Sequence, residues 1–179
     1  MIRAFVGLSL PDAHRFELML LQQGLPVRRA VAPENLHLTL CFLGEVAEPE
    51  LEEVHDALNR INAPAFEMAL SGLGMFGGAK PRNVHVGVAE SPALRHLQAK
   101  VETAARGVGL AIDARRFVPH VTLARLNPAR LDLPRLERFV AARIGFALAP
   151  FAVEDFRLYS SHLGGRGASY EELARYPLG

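Results

Sequence analysis

The chain has 179 residues, half of them hydrophobic and 22% charged, enough apolar material for one buried core, which excludes disordered and fibrous classes. Its lone cysteine, Cys41, cannot close an internal disulfide, and the opening MIRAFVGLSL lacks the apolar length and small-residue cleavage site of a signal peptide. Charged residues, Pro or Gly interrupt every apolar run short of the ~20 residues that span a bilayer, so a soluble, cytoplasmic monomer without a membrane partner is expected.

The net charge of +1 argues against the broad basic face of a protein that grips a long duplex. It hides a gradient. Residues 1–90 carry 7 Lys and Arg against 11 Asp and Glu, a balance of −4, whereas residues 91–179 carry 13 against 8, a balance of +5. An anionic partner therefore favours the second half. Only Lys80 and Lys100 among the 20 basic residues are lysines, so a phosphate contact is expected to use a guanidinium fork.

In chain order, residues 2–8 read as a strand and 11–23 as a helix that opens on Pro11 and Asp12 and stops at Gly24. Residues 36–43 alternate as a strand does. Residues 49–61 follow as a helix, with Glu50, Glu52 and Glu53 in its first turns and Leu51, Val54, Leu58 and Ile61 on one face. Strands at 66–71 and 83–88 flank the glycine-rich loop GLGMFGGAKPR, read as a long hairpin. Ser91 caps a helix striped by Leu94, Leu97, Val101 and Ala105 that ends at Gly107 or Gly109. A strand over 120–126, a helix over 134–143 and strands near 151–160 and 170–176 complete the chain. The order strand, helix, strand, strand occurs twice without a linker between the halves. It predicts one α+β domain over residues 1–179, bilobal and pseudo-symmetric, with mostly antiparallel sheets lining a central cleft and helices outside.

Both halves carry one pattern: His37-Leu38-Thr39-Leu40 and His120-Val121-Thr122-Leu123, each opening a predicted strand. With seven histidines and three threonines in the chain, chance supplies roughly 0.12 His-x-Thr pairs, so two in equivalent places are not accidental. Residues two apart on a strand share a face, ~6.6 Å apart. Leu36, Leu38, Leu40, Val121 and Leu123 then face the helices, and the imidazoles and hydroxyls face away from the core. Two imidazoles titrating near neutrality suit base and acid, and two hydroxyls suit the non-bridging oxygens of a phosphate. Metal binding is disfavoured, because neither motif has a His at i+4 or an HExxH carboxylate and there are no paired cysteines.

These motifs, with PENLHLTLCFLGEV, LGMFGGAKPR, FVPHVTLARL and LYSSHLGGRGASYEELARYPL around them, resemble the two-histidine phosphoesterases, in particular the LigT-like RNA 2′,3′-cyclic phosphodiesterases of the 2′-5′ RNA ligase family. The resemblance implies hydrolysis of RNA 2′,3′-cyclic phosphate ends, or of small cyclic nucleotides, to 2′-phosphomonoesters, with neither metal nor cofactor. It makes His120 the general base, His37 the general acid, Thr39 and Thr122 the phosphate-binding hydroxyls and Arg125 a substrate-binding guanidinium. Strict alternation puts Arg125 on the wrong face, so that role requires the strand to end or bulge near Ala124. Two alternatives stand: a 2′-5′ RNA ligase acting on tRNA halves, and a non-catalytic module that binds nucleotides or RNA ends.

The chain departs from the family at Val6, where a second aromatic is common, and at His85, where tryptophan is common. His85 shares a strand face with Asn83 and Gly87, which leaves two readings: a residue that reaches the cleft to contact substrate or rim the site, and, favoured over it, a packed or surface histidine. Cys41 alternates with His37 and Thr39 but lacks a partner base, which makes it a small filler. The glycine-rich loop lacks the GKS or GKT ending of a phosphate-binding P-loop. His14, His55, His96 and His162 read as boundary or exposed residues, and Tyr159 and Phe117 as flanks of the cleft.

Overall fold

Apolar stretches bounded by Gly and Pro form the strands of this protein, whose computed structural model describes residues 1–165 and 167–179. They are β1 (Ile2–Ser9), β2 (His37–Val46), β3 (Phe66–Met68), β4 (Leu70–Phe76), β5 (Asn83–Val88), β6 (His120–Arg125), β7 (Phe151–Val153), β8 (Asp155–Gly164) and β9 (Gly167–Pro177). Seven of them make one sheet in the order β4-β5-β6-β2-β1-β8-β9, and β3 pairs with β7 in a second. Every pairing among the named strands is antiparallel. The α+β class expected from the sequence is the class found.

The helices are α1 (Asp12–Gln23), α2 (Glu48–Asn59), α3 (Pro92–Gly107) and α4 (Leu133–Ala141). Ser91 Oγ accepts the Leu94 N–H at 3.2 Å, which caps α3 as its sequence suggests. Asp132 caps α4 in the same way through the Arg135 N–H. The α3 stripe of Leu94, Leu97, Val101 and Ala105 is fully buried and α3 lies against β2. Beneath it, Leu38, Leu40, Val121 and Leu123 are buried as well. Each such side chain contributes about 1.5–3 kcal/mol, so the apolar halves of the two repeated motifs are anchored to the core and their polar halves are turned away from it.

The helices expected over 49–61 and 134–143 end at Asn59 and Ala141, which leaves Ile61 outside its helix, and the larger departures among the strands share one reason. The strand expected over 66–71 is divided into β3 and β4, and β4 runs on through Gly74 to Phe76, inside the segment read as a loop. Gly72, at φ +78°, sits where the β4–β5 register shifts, a left-handed position that favours glycine. Likewise the 151–160 strand divides into β7 and β8, and β8 and β9 extend to a tip at Gly164 and Gly167. Cross-strand partners supply the hydrogen bonds that stabilise these glycine-rich stretches, and composition does not reveal partners.

The halves meet in the main sheet through β2 and β6, whose one registered pair is Leu38 with Val121. Beyond that pair the strands are wedged apart. The carbonyl of Leu123 accepts the Val31 N–H at 2.8 Å and the Gln22 Nε2–H at 2.9 Å, and Gln22 also donates to the Val31 carbonyl at 2.8 Å. Gln22 is one of few buried polar side chains. Replacing it with Ala removes a donor from the buried Leu123 carbonyl and from the half-buried Val31 carbonyl, and a loss of about 1–3 kcal/mol in urea unfolding is expected; unchanged stability would show that the wedge contributes nothing.

Candidate active site

The Leu38–Val121 pair decides how the two motifs meet. In an antiparallel ladder the neighbours of a registered pair lie in crossed order, so His37 falls on the Thr122 side and Thr39 on the His120 side. All four line one cleft of about 730 Å³, with Phe5, Asn35, Phe42, Arg115, Arg125 and Tyr170 among its other walls. That volume suits a nucleotide-sized ligand.

Each histidine is held by the same device. His37 Nδ1 lies 2.6 Å from the Asn35 carbonyl and His120 Nδ1 lies 2.7 Å from the Val118 carbonyl, in both cases two residues upstream. A carbonyl only accepts, so Nδ1 carries the proton in each neutral ring and Nε2 is the bare nitrogen. His37 Nε2 is 2.9 Å from Thr39 Oγ1, which donates to it while the imidazole is neutral. Aromatic rings flank both: Phe5 at 4.8 Å and Tyr170 at 5.1 Å beside His37, Phe76 at 4.8 Å and His85 at 5.2 Å beside His120. Burial pushes the His37 pKa down to about 4, aided by the positive charges of Arg125, Arg15 and His120 and opposed by the Asn35 carbonyl. Burial also lowers His120, against the pull of the Val118 carbonyl.

Arg125 reaches the cleft because β6 bulges. His85 pairs with Thr122 while Val84 pairs with Ala124, which leaves Leu123 as an extra residue. Leu123 and Ala124 are consequently both buried, and Arg125 returns to the face of His120 and Thr122. The bulge lies beside Ala124, where that role required one. In β2, Gly7 pairs with Thr39 and Val6 with Cys41, so Leu40 is the extra residue. Alternation therefore fails at Cys41, which lies in the core at 5% exposure instead of on the face of His37 and Thr39; burial pushes its thiol up to about 11. Phe42 comes round in its place, 63% exposed at the cleft wall.

Sequence reasoning missed Phe42, Asn35, Arg115 and Tyr170. The sequence signal for Phe42 was its position, equivalent to Arg125 in the repeat. Of the predicted flanks, Tyr159 stacks behind Phe5 at 5.0 Å and lines a smaller pocket beside His37, whereas Phe117 does not line the cleft. His85 is buried at 8% exposure behind His120. His14 donates Nε2–H to the Ala149 carbonyl and His55 meets the Tyr176 hydroxyl, both away from the cleft. Among the described residues no three His, Cys, Asp or Glu side chains gather where a metal ion would sit, and no helix is long and apolar enough to cross a membrane.

A mostly antiparallel sheet that presents two His-x-Thr pairs to a shared cleft defines a two-histidine class of site. Residues 14–165 match the 2′-5′ RNA ligase superfamily, and the chain belongs to it. Its relatives include the RNA 2′,3′-cyclic phosphodiesterase of Aeropyrum pernix, 36% identical over 84% of this chain and 85% of that protein. That of Archaeoglobus fulgidus is 32% identical over 96% and 98%. Among solved structures, a protein of Thermus thermophilus superposes with a TM-score of 0.84 at 27% identity, covering 98% of this chain and 97% of that one. Escherichia coli LigT in its apo form gives 0.78 at 27%, covering 99% and 97%.

The buried histidines tie stability to pH. His37 and His85 have folded-state pKa values of about 4 against an ordinary 6.5. Their contribution is complete above 6.5 and is lost as pH falls to about 4, because the unfolded chain binds protons that the folded one does not. The melting temperature is expected to fall across that window, and by less in His85→Phe, which removes one titration. Equal falls in the two proteins would contradict the assignment for His85.

Proposed function

We propose that the protein hydrolyses the 2′,3′-cyclic phosphate of RNA ends or of small cyclic nucleotides to a 2′-phosphomonoester, by metal-independent acid and base catalysis. The observation that carries this reading is the convergence of His37, Thr39, His120 and Thr122 on one cleft, each imidazole with Nδ1 held by a carbonyl and Nε2 unprotonated in the neutral ring, that of His37 facing the Thr39 hydroxyl. The relatives are RNA 2′,3′-cyclic phosphodiesterases, and a solved complex of E. coli LigT, 26% identical, holds 3′-AMP.

In this mechanism the phosphate lies between the two threonine hydroxyls, which hydrogen-bond its non-bridging oxygens. His120 Nε2 takes a proton from water as the water oxygen bonds to phosphorus. The bond from phosphorus to the 3′-oxygen breaks, and His37, protonated at Nε2, donates its proton to that oxygen. The two imidazoles end with exchanged protonation and reset through solvent. A diester anion in the cleft favours the charged form of His37, offsetting the desolvation that keeps it neutral in the free protein. Arg125 supplies a guanidinium to the phosphate, and exposed Phe42 offers an apolar surface to the nucleoside. The buried free Cys41 fits a reducing, cytoplasmic setting. The superfamily's ligase name keeps the reverse reaction in view, since one acid–base pair serves both directions; product analysis with tRNA halves separates them.

The test is hydrolysis of 2′,3′-cyclic nucleotides in the presence of chelator. His37→Ala and His120→Ala are each expected to lose about 10²–10⁴-fold in kcat. Activity abolished by chelator, or retained in both variants, overturns the reading. Arg125→Ala is expected to raise KM about tenfold, the value of one charge-assisted contact; an unchanged KM removes Arg125 from the phosphate site.

The pH dependence follows from the histidines. One must be neutral and the other charged, so kcat/KM is bell-shaped, and it reports the free protein. Both pKa values lie below the ordinary 6.5, which places the maximum on the acid side of 6.5. A maximum above the ordinary histidine value would contradict the burial argument.

A further inference from the structure

His85 is not among the cleft-lining residues, yet it belongs to a cluster of Phe76, Asn83 and His120 beside them. In the sheet it stands between Gly74 of β4 and Thr122 of β6. Asn83 Oδ1 accepts the Phe76 N–H at 3.3 Å and lies 3.1 Å from His85 Nδ1. A backbone N–H only donates, so this oxygen is an acceptor and His85 Nδ1 carries the imidazole proton. Phe76 stacks on the ring with centroids 4.1 Å apart and 27° between planes. The same Phe76 meets His120 edge-on at 4.8 Å, and the His85 and His120 centroids are 5.2 Å apart. Gly74 makes the room: a Cβ there would lie 2.8 Å from His85 Nε2.

The first half of the chain solves the same problem differently. At the ladder position beside Thr39 it has Gly7, and its rings against His37 come from Phe5 and Tyr170. Around His120 the edge-on ring that Tyr170 gives His37 is supplied by Phe76, and His85 supplies the second ring from the neighbouring strand. We propose that His85 is a positioning residue for His120: with Phe76 it forms an aromatic wall, seated on Gly74 and tied by Asn83, that fixes the His120 ring and keeps water from its inner face. The proposal rests on the reading of His120 as a reacting group. Hydrogen bonding within the wall leaves His85 no proton to exchange at Nδ1, and its burial keeps the ring neutral, with a pKa of about 4. The other charged or titratable groups facing the His120 side of the cleft are His37 of β2, Arg125 of β6, and Arg115 of the preceding loop with its ion-pair partner Asp113.

The experiment is a titration of the His120 ring by NMR, together with kcat and KM for a 2′,3′-cyclic nucleotide, in the native protein, His85→Phe, His85→Ala and Gly74→Ala. His85→Phe keeps a ring in the wall, so the His120 midpoint should stay below 6.5 and kcat within about threefold of native. His85→Ala opens the wall and Gly74→Ala displaces the ring. In both, the midpoint should rise toward the ordinary histidine value and kcat should fall about tenfold while KM stays within about twofold, the pattern of lost orientation rather than lost binding. If His85→Ala does not fold, Gly74→Ala and His85→Phe decide. A native midpoint and native kcat in the wall-opening variants overturn the proposal, as does a His85→Phe protein with a raised midpoint. A native protein inert toward cyclic nucleotides overturns the functional reading instead, and the NMR titration still reads the wall.

Discussion

The site depends on one backbone register. Leu38 opposite Val121 is the single registered pair between β2 and β6, and both side chains are wholly buried. A slip of one residue would turn either motif inside out, burying an imidazole and a hydroxyl and exposing Leu38 and Leu40 in one or Val121 and Leu123 in the other. The hydrophobic core thus enforces the positions of four polar side chains that it never touches. The wedge of Gln22 and Val31 at the Leu123 carbonyl then keeps the strands from pairing further. A fully zipped ladder there would use that carbonyl in the sheet.

The second constraint is electrostatic. Two imidazoles, each with Nδ1 fixed on a carbonyl, present unprotonated Nε2 atoms to a partly desolvated cleft in which the guanidiniums of Arg3, Arg115 and Arg125 outnumber the carboxylates of Glu45 and Asp113. Such a site disfavours added positive charge, and a phosphate anion relieves that. The bulges at Leu40 and Leu123 fall at equivalent positions of the repeat, and the asymmetry lies in the side chains they bring round, Phe42 to one wall and Arg125 to the other. One wall thus offers apolar surface and the other a cation, although the two strands carry the same His-x-Thr pattern.

Much of this was legible in the chain. The apolar stripes of α2 and α3, the Ser91 cap and the alternation of the two motifs report local physics, and the structure reproduces them. The four His and Thr positions could be read because strand periodicity and burial agree there. Alternation misled at Cys41 and made Arg125 difficult, because a bulge is set by what lies across the ladder. For Leu123 the partner is a glutamine 101 residues away. The extent of β4 through Gly72 and Gly74 was hidden for the same reason, and with it the seat for His85. Long-range partners, not side-chain preferences, decide these places.

The central claim is that both His-x-Thr pairs act on one phosphoryl group. Long-range proton–nitrogen NMR on imidazole-labelled protein, titrated with inorganic phosphate, tests it most directly. The account predicts that Nδ1 is the protonated nitrogen of His37 and His120 in the free protein, and that both Nε2 signals move together with a single dissociation constant. Phosphate that moves only one of them, or binds without moving either, would contradict it.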